Sequence, residues 1–149
     1  MNDFFATFYE TFLRIYNPDF DLIFQTLRES NSYSIFGLIL FITPLIFFAG
    51  FYFLWKYPYG KTRHWLLFLL IVILITGAIT WVTANNRIFL SNNKELIELI
   101  NDPNTGFEKY ANSLPLNYAA WNSFISIILG AAYSLILKQF SKIQIHLPF

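Results

Sequence analysis

"WLLFLLIVILITGAITWVTANN", Trp65 to Asn86, runs for 22 residues without a charged side chain. A helix needs about 20 apolar residues to cross the hydrocarbon core of a bilayer. Within lipid every backbone N–H and C=O must be satisfied by the chain itself, which a helix achieves segment by segment. Two more uncharged blocks lie on either side. Ser34 to Trp55 is 22 residues, and Tyr110 to Leu137 is 28, with its lipid-crossing part opening near Tyr118 or Trp121. The strict alternation that would mark a membrane β-barrel is missing.

The expected fold is therefore an all-α integral membrane protein. It has three transmembrane helices, N-terminal amphipathic interfacial helices and a short extramembrane helix in the outer loop. The segments read as N-terminal helices over residues 1–33, outside; a first span over 34–55; a cytoplasmic loop over 56–64; a second span over 65–86. An outer loop with a short helix follows over 87–117, then a third span over 118–137 and a cytoplasmic tail over 138–149.

Composition agrees. Of 149 residues, 56% are hydrophobic and 21% aromatic, and mean hydropathy is +0.47. Charged residues make up 13%, about half the share usual in soluble domains. A net charge of +1 offers no basic stripe for nucleic acid. No cysteine is present, which removes disulfides, thiol catalysis and thiolate metal sites. The first charges are Asp3 and Glu10 rather than a basic leader, so no cleavable signal peptide is expected. Position 2 is Asn2, where myristoylation needs glycine.

Aromatic rings gather where interfaces belong: Trp55, Tyr57, Tyr59 and Trp65 at one turn, Trp81 near the far end, Tyr118 and Trp121 at the third span. Charge supplies an orientation. Lys56, Lys61 and Arg63 fill the short connection, and Lys138 and Lys142 the tail, with no acid in either. All nine carboxylates fall in residues 1–33 and 87–117, together with the other five basic residues. The basic count is tied, but its density is far greater in the connection and tail. The expectation is a bacterial inner-membrane protein with its N-terminus outside and its C-terminus in the cytoplasm.

In the N-terminal tail, Phe4, Phe8, Phe12 and Ile15 recur at helical spacing, with Phe5 and Tyr16 at the edges. This face is expected to dock on a partner, the runner-up being the membrane surface. Asn17 caps a second piece, with Pro18 at its first position and Asp19 and Asp21 in the first turn. In the outer loop Asn92 is expected to cap "KELIELI", with Glu95 completing a capping box, and Pro103 and Gly106 ending it.

The third span carries Asn122, Ser126, Gly130 and Ser134 four residues apart. The second carries Thr76, Gly77, Thr80 and Thr83 in its outer half, followed by Ala84. In lipid, helices associate through close backbone approach and hydrogen bonds, which small and polar residues permit. These residues form a helix-packing seam, within one chain or between subunits, or the wall of a pore. The first span is crowded with Phe, Ile and Leu around Thr43, Pro44, Ala49 and Gly50, and reads as lipid-facing or peripheral.

Catalytic patterns are missing. His64 and His146 stand without a carboxylate on their side, and Glu95 and Glu98 read as a solvated helix face. No phosphate loop, HExxH or GxSxG occurs. The spans hold no ionisable residue between their ends, which disfavours a pump or coupled transporter. The expectation is a non-enzymatic integral membrane subunit, without cofactor or metal. It would oligomerise or anchor a larger membrane-associated assembly, with the lipid bilayer and membrane-complex partners but no nucleic acid as its contacts. The alternative is an oligomeric pore former. Three spans with this orientation resemble one architectural class of phage holins in topology, although the tail is less basic than in many holins.

Overall fold

A computed structural model describes residues 1–55 and 62–141. Helix α1 (Asn2–Thr7) runs into a π-helical turn (Phe8–Phe12), and a 3-10 turn (Pro18–Phe20) leads into α2 (Asp21–Glu29). The long helices are α3 (Ser32–Phe53), α4 (Thr62–Phe89) and α6 (Phe107–Phe140), with the short α5 (Lys94–Asn101) between the last two. No strand occurs among the described residues. The expected positions Lys56, Tyr57, Tyr59, Lys61, Lys142 and His146 lie outside them.

Helices α3, α4 and α6 are each long and apolar enough to cross a membrane. Each buries a row repeating about every four residues. On α3 it is Phe36, Leu40, Pro44 and Phe48; on α4, Thr76, Thr80, Ala84 and Ile88; on α6, Asn122, Ser126, Gly130 and Ser134. The opposite faces expose Ile46, Leu66, Leu70, Leu74, Ile128 and Leu135. In water such a surface would drive association, whereas hydrocarbon solvates it without cost. The polar residues of the α4 and α6 rows are inside because lipid offers no hydrogen-bond partners.

Contrary to its reading as peripheral, α3 supplies a full inner row: Phe36, Phe48, Phe51 and Tyr52 are wholly buried. Gly37 is the reason on its outer flank. The ring of Phe5 lies directly on Gly37, where any Cβ would clash. The N-terminal segment therefore covers α3 instead of lying free on the membrane.

That segment belongs to a cap. Phe5, Tyr9, Leu13 and Ile15 pack with Ile23, Phe24 and Leu27 of α2, Ala84 and Ile88 of α4, Leu96 and Ile100 of α5, and Leu114 of α6 in one continuous core. A second core at the opposite end joins Phe48, Phe51 and Tyr52 to Trp65 and Val72. The expected outer loop 87–117 is mostly helix. Helix α4 continues to Phe89, and α6 begins at Phe107, well before Tyr118. Gly106, at φ +74°, turns the chain into α6 in a conformation that disfavours other residues.

Two caps can be checked atom by atom. Asn17 accepts from the Asp19 N–H at 3.1 Å, with Pro18 at the first position, as its sequence indicates. In α5 the cap is Asn93 rather than Asn92: its side-chain oxygen accepts from the Leu96 N–H at 3.2 Å. Asn93 also donates to the Thr26 hydroxyl at 3.0 Å, and this tertiary bond selects the second asparagine.

The π-helical turn decides which residues of α1 face inward. The Leu13 N–H donates to the Phe8 carbonyl at 3.1 Å, five residues back. Arg14 then adopts φ +54° and ends the helix. The wider turn breaks the 3.6-residue period. Ile15 leaves the expected Phe4–Phe8–Phe12 face and enters the cap core, while Phe4 and Phe12 stay 69% and 76% exposed.

Candidate functional site

The two seams meet where Thr80 of α4 bonds Asn122 of α6. Its Nδ2 donates to the Phe36 carbonyl at 3.2 Å and to the Thr80 hydroxyl at 3.0 Å. Its Oδ1 accepts from the Tyr9 hydroxyl at 2.7 Å. One buried amide thus joins the N-terminal segment, α3, α4 and α6, with both donors used. Burial pushes the Tyr9 phenol above its usual range, against the opposing effect of the Asn122 bond, so Tyr9 stays a neutral donor.

A second polar group adjoins it. The Glu10 carboxylate, almost wholly buried, pairs with the Arg28 guanidinium of α2. The Glu10 contact holds the Arg28 guanidinium even further above the physiological range than usual. The Tyr33 and Tyr118 hydroxyls share a hydrogen bond at 3.3 Å, with the Tyr9 ring packed edge-on against Tyr118. The two charges differ in exposure, and their removal should differ accordingly. Arg28→Ala strands a carboxylate away from water, whereas Glu10→Gln leaves a half-exposed guanidinium that water can reach. Thermal melts in detergent are expected to show the larger loss for Arg28→Ala.

Further along α6 the seam is occupied by close packing. Gly77 of α4 takes Ser123 directly against its backbone. The Ser123 hydroxyl donates to the Ile73 carbonyl at 3.1 Å. A Cβ on Gly130 would lie 2.6 Å from Phe48 and 2.9 Å from Leu69. The Ser134 hydroxyl donates to the Gly130 carbonyl at 2.8 Å and accepts from the Trp65 indole N–H at 2.7 Å. The Ser141 hydroxyl donates to the Tyr52 carbonyl at 2.6 Å.

The seam members fare unequally. Ser126 is buried and donates to the Ser123 carbonyl of its own helix at 2.7 Å. Thr83 is only half-buried; Ala84 occupies the inner row beside it. Thr76 is fully buried, yet its hydroxyl meets no acceptor or donor. Thr76→Val should then be neutral or stabilising, because it removes an unpaired buried hydroxyl at nearly constant shape. Thr80→Val, which leaves one Asn122 N–H without its acceptor, should cost about 1–3 kcal/mol. Unfolding of the two variants in detergent distinguishes them.

Sequence reasoning placed Tyr118 and Trp65 at the headgroup level, but Tyr118 is wholly buried and Trp65 bonds inside the bundle. Trp55, Trp81 and Trp121 do face outward. Sequence reasoning missed Tyr9, Glu10 and Tyr33. The signal was present: Phe5, Tyr9 and Leu13 share a helical spacing as good as that of Phe4, Phe8 and Phe12.

The outward face of α1 and the π-helical turn after it forms a cleft of about 830 Å³ lined by Phe4, Phe8 and Phe12, with Thr7, Thr11, Asp3 and Arg14 around them. The Phe8 and Phe12 rings stack at 5.6 Å. Among the described residues no group of His, Asp and Glu could hold a metal ion. Comparison of the chain with protein-family models, curated proteins and solved structures yields no match.

Proposed function

We propose that the chain is a non-enzymatic integral membrane subunit that attaches to a larger protein assembly through the aromatic face of its cap. One observation carries the reading. After Phe5, Tyr9, Leu13 and Ile15 have filled the cap core, Phe4, Phe8 and Phe12 line a second aromatic face, on which Phe4 and Phe12 stay exposed among the described residues. Aromatic rings surrounded by Thr7, Thr11, Asp3 and Arg14 match the anatomy of protein interfaces, with an apolar centre and a polar rim. We take the capped end to face away from the cytoplasm, because Lys and Arg are far denser in residues 56–64 and 138–149 than in its own segments.

The pore-forming alternative has less to stand on. It needs a polar helix face turned toward a lumen, and Asn122, Ser126 and Ser134 are buried within a single chain. A photoreactive phenylalanine analogue at position 8, activated in native membranes, tests the reading. The expected product is a covalent adduct with a different protein. Adducts with lipid alone, or with a second copy of this chain alone, would overturn it.

A further inference from the structure

A cleft of about 570 Å³ opens between the end of α2 and the link from α4 to α5. Glu29 stands on its α2 side and Arg87 on its α4 side. The two carry opposite charges into one space without forming an ion pair with each other. Neither has any other hydrogen-bond partner among the described residues, and the same holds for the side chains of Asn86 and Asn92 in the cleft. The Ser91 hydroxyl is shielded from solvent and also lacks a partner. Buried polar atoms are nearly always satisfied, so an unmet hydroxyl beside an open cleft marks a place where something else bonds.

The cleft also has a defined depth. Helix α4, with 28 residues, is about 42 Å long at 1.5 Å per residue. The hydrocarbon core is about 30 Å thick, so the last turns of α4 reach the headgroup layer. Leu90, 76% exposed, adds an apolar surface at the rim.

We propose that this cleft binds a phosphoethanolamine group, supplied by a phosphatidylethanolamine headgroup of the surrounding membrane. The phosphodiester lies on the Arg87 guanidinium, a planar fork suited to phosphate oxygens. The ammonium donates to the Glu29 carboxylate and to the amide oxygens of Asn86 and Asn92. Ser91 meets an ester or phosphate oxygen, and Leu90 lies along the glycerol. A choline headgroup fits poorly, because its quaternary nitrogen has no proton to donate to these acceptors. A glycerol headgroup leaves Glu29 facing a phosphate without a cation. The site is independent of the aromatic face of α1, so either proposal survives failure of the other.

The test uses the full chain, purified in mild detergent and analysed by native mass spectrometry with phosphatidylethanolamine, phosphatidylcholine or phosphatidylglycerol. Phosphatidylethanolamine should be retained preferentially. Arg87→Met and Glu29→Gln should each reduce that retention about ten-fold, while Lys109→Met, a charge removed elsewhere on the cap, should not. Unchanged melting of the lipid-free variants shows that the fold is intact. Free O-phosphoethanolamine is run in parallel as a thermal-shift ligand. A weak shift with strong lipid retention supports the membrane source. A shift that equals the lipid's would assign the site to a soluble zwitterion and overturn the lipid assignment. Equal retention of all three lipids, or retention indifferent to Arg87 and Glu29, would overturn the site.

Discussion

Replacing Gly130 with leucine should prevent the three long helices from closing, whereas Phe47→Leu should leave the fold intact. At Gly130 even a Cβ would stand 2.6 Å from the Phe48 ring and 2.9 Å from Leu69, so a four-carbon side chain has no room. Leucine is the better helix former, so helix propensity works in favour of the variant and the damage is purely steric. Forced over-packing of this kind costs on the order of 3 kcal/mol or more, and relief requires α3 and α4 to move away from α6. Phe47 is half-buried at the edge of the same core, where leucine fills most of the volume and the cost is about 1 kcal/mol. Cysteine pairs across α3 and α6, probed by cross-linking in membranes, read the separation directly. Equal cross-linking in both variants would contradict the close approach.

The second large effect is expected at Asn122→Leu. Leucine has the same number of side-chain heavy atoms as asparagine, with more bulk, and removes three hydrogen bonds, to Tyr9, Phe36 and Thr80. At about 1 kcal/mol for each bond the loss is about 3 kcal/mol. Its signature should be local first: the N-terminal segment detaches while the long helices persist. Limited proteolysis near Thr11 should accelerate before the helical signal falls. Tyr9→Phe removes only one of the three bonds and should produce a fraction of the same effect. Combined with Asn122→Leu it should add little, because both delete the same contact. Full additivity would show that Tyr9 and Asn122 act separately.

The long helices were legible because lipid imposes a severe rule. Three uncharged blocks of sufficient length leave few alternatives: α4 and α6 contain the blocks read from Trp65 and Tyr118 onward, and α3 covers the one from Ser34 except its last two residues. The polar row of α6 was legible for the same reason, since a lipid-embedded asparagine needs partners. The matching row on α3 was not, because Phe36, Leu40 and Phe48 differ chemically from nothing around them; only Gly37 marked the flank that receives Phe5. The π-helical turn was also hidden. A period of 3.6 assumes regular closure, and the departure at Phe8–Phe12 follows from tertiary bonds of Tyr9 and Glu10 to residues far along the chain. The cap as a whole was unreadable from local pattern, since it is made of pieces too short to be stable except against one another.

The junction between Tyr9 and Asn122 also has a meaning in time. The two residues are 113 positions apart, and the second lies in the final long helix. A ribosome releases α1 long before the α6 part of its seat exists. That helix can lie on α3 early, through Phe5 on Gly37, but the cap cannot shut until α6 has entered the bilayer. Chains that stop short of α6 leave the Tyr9 hydroxyl without its Asn122 acceptor. A segment made before α3 thus gains its last hydrogen bond only when α6 arrives.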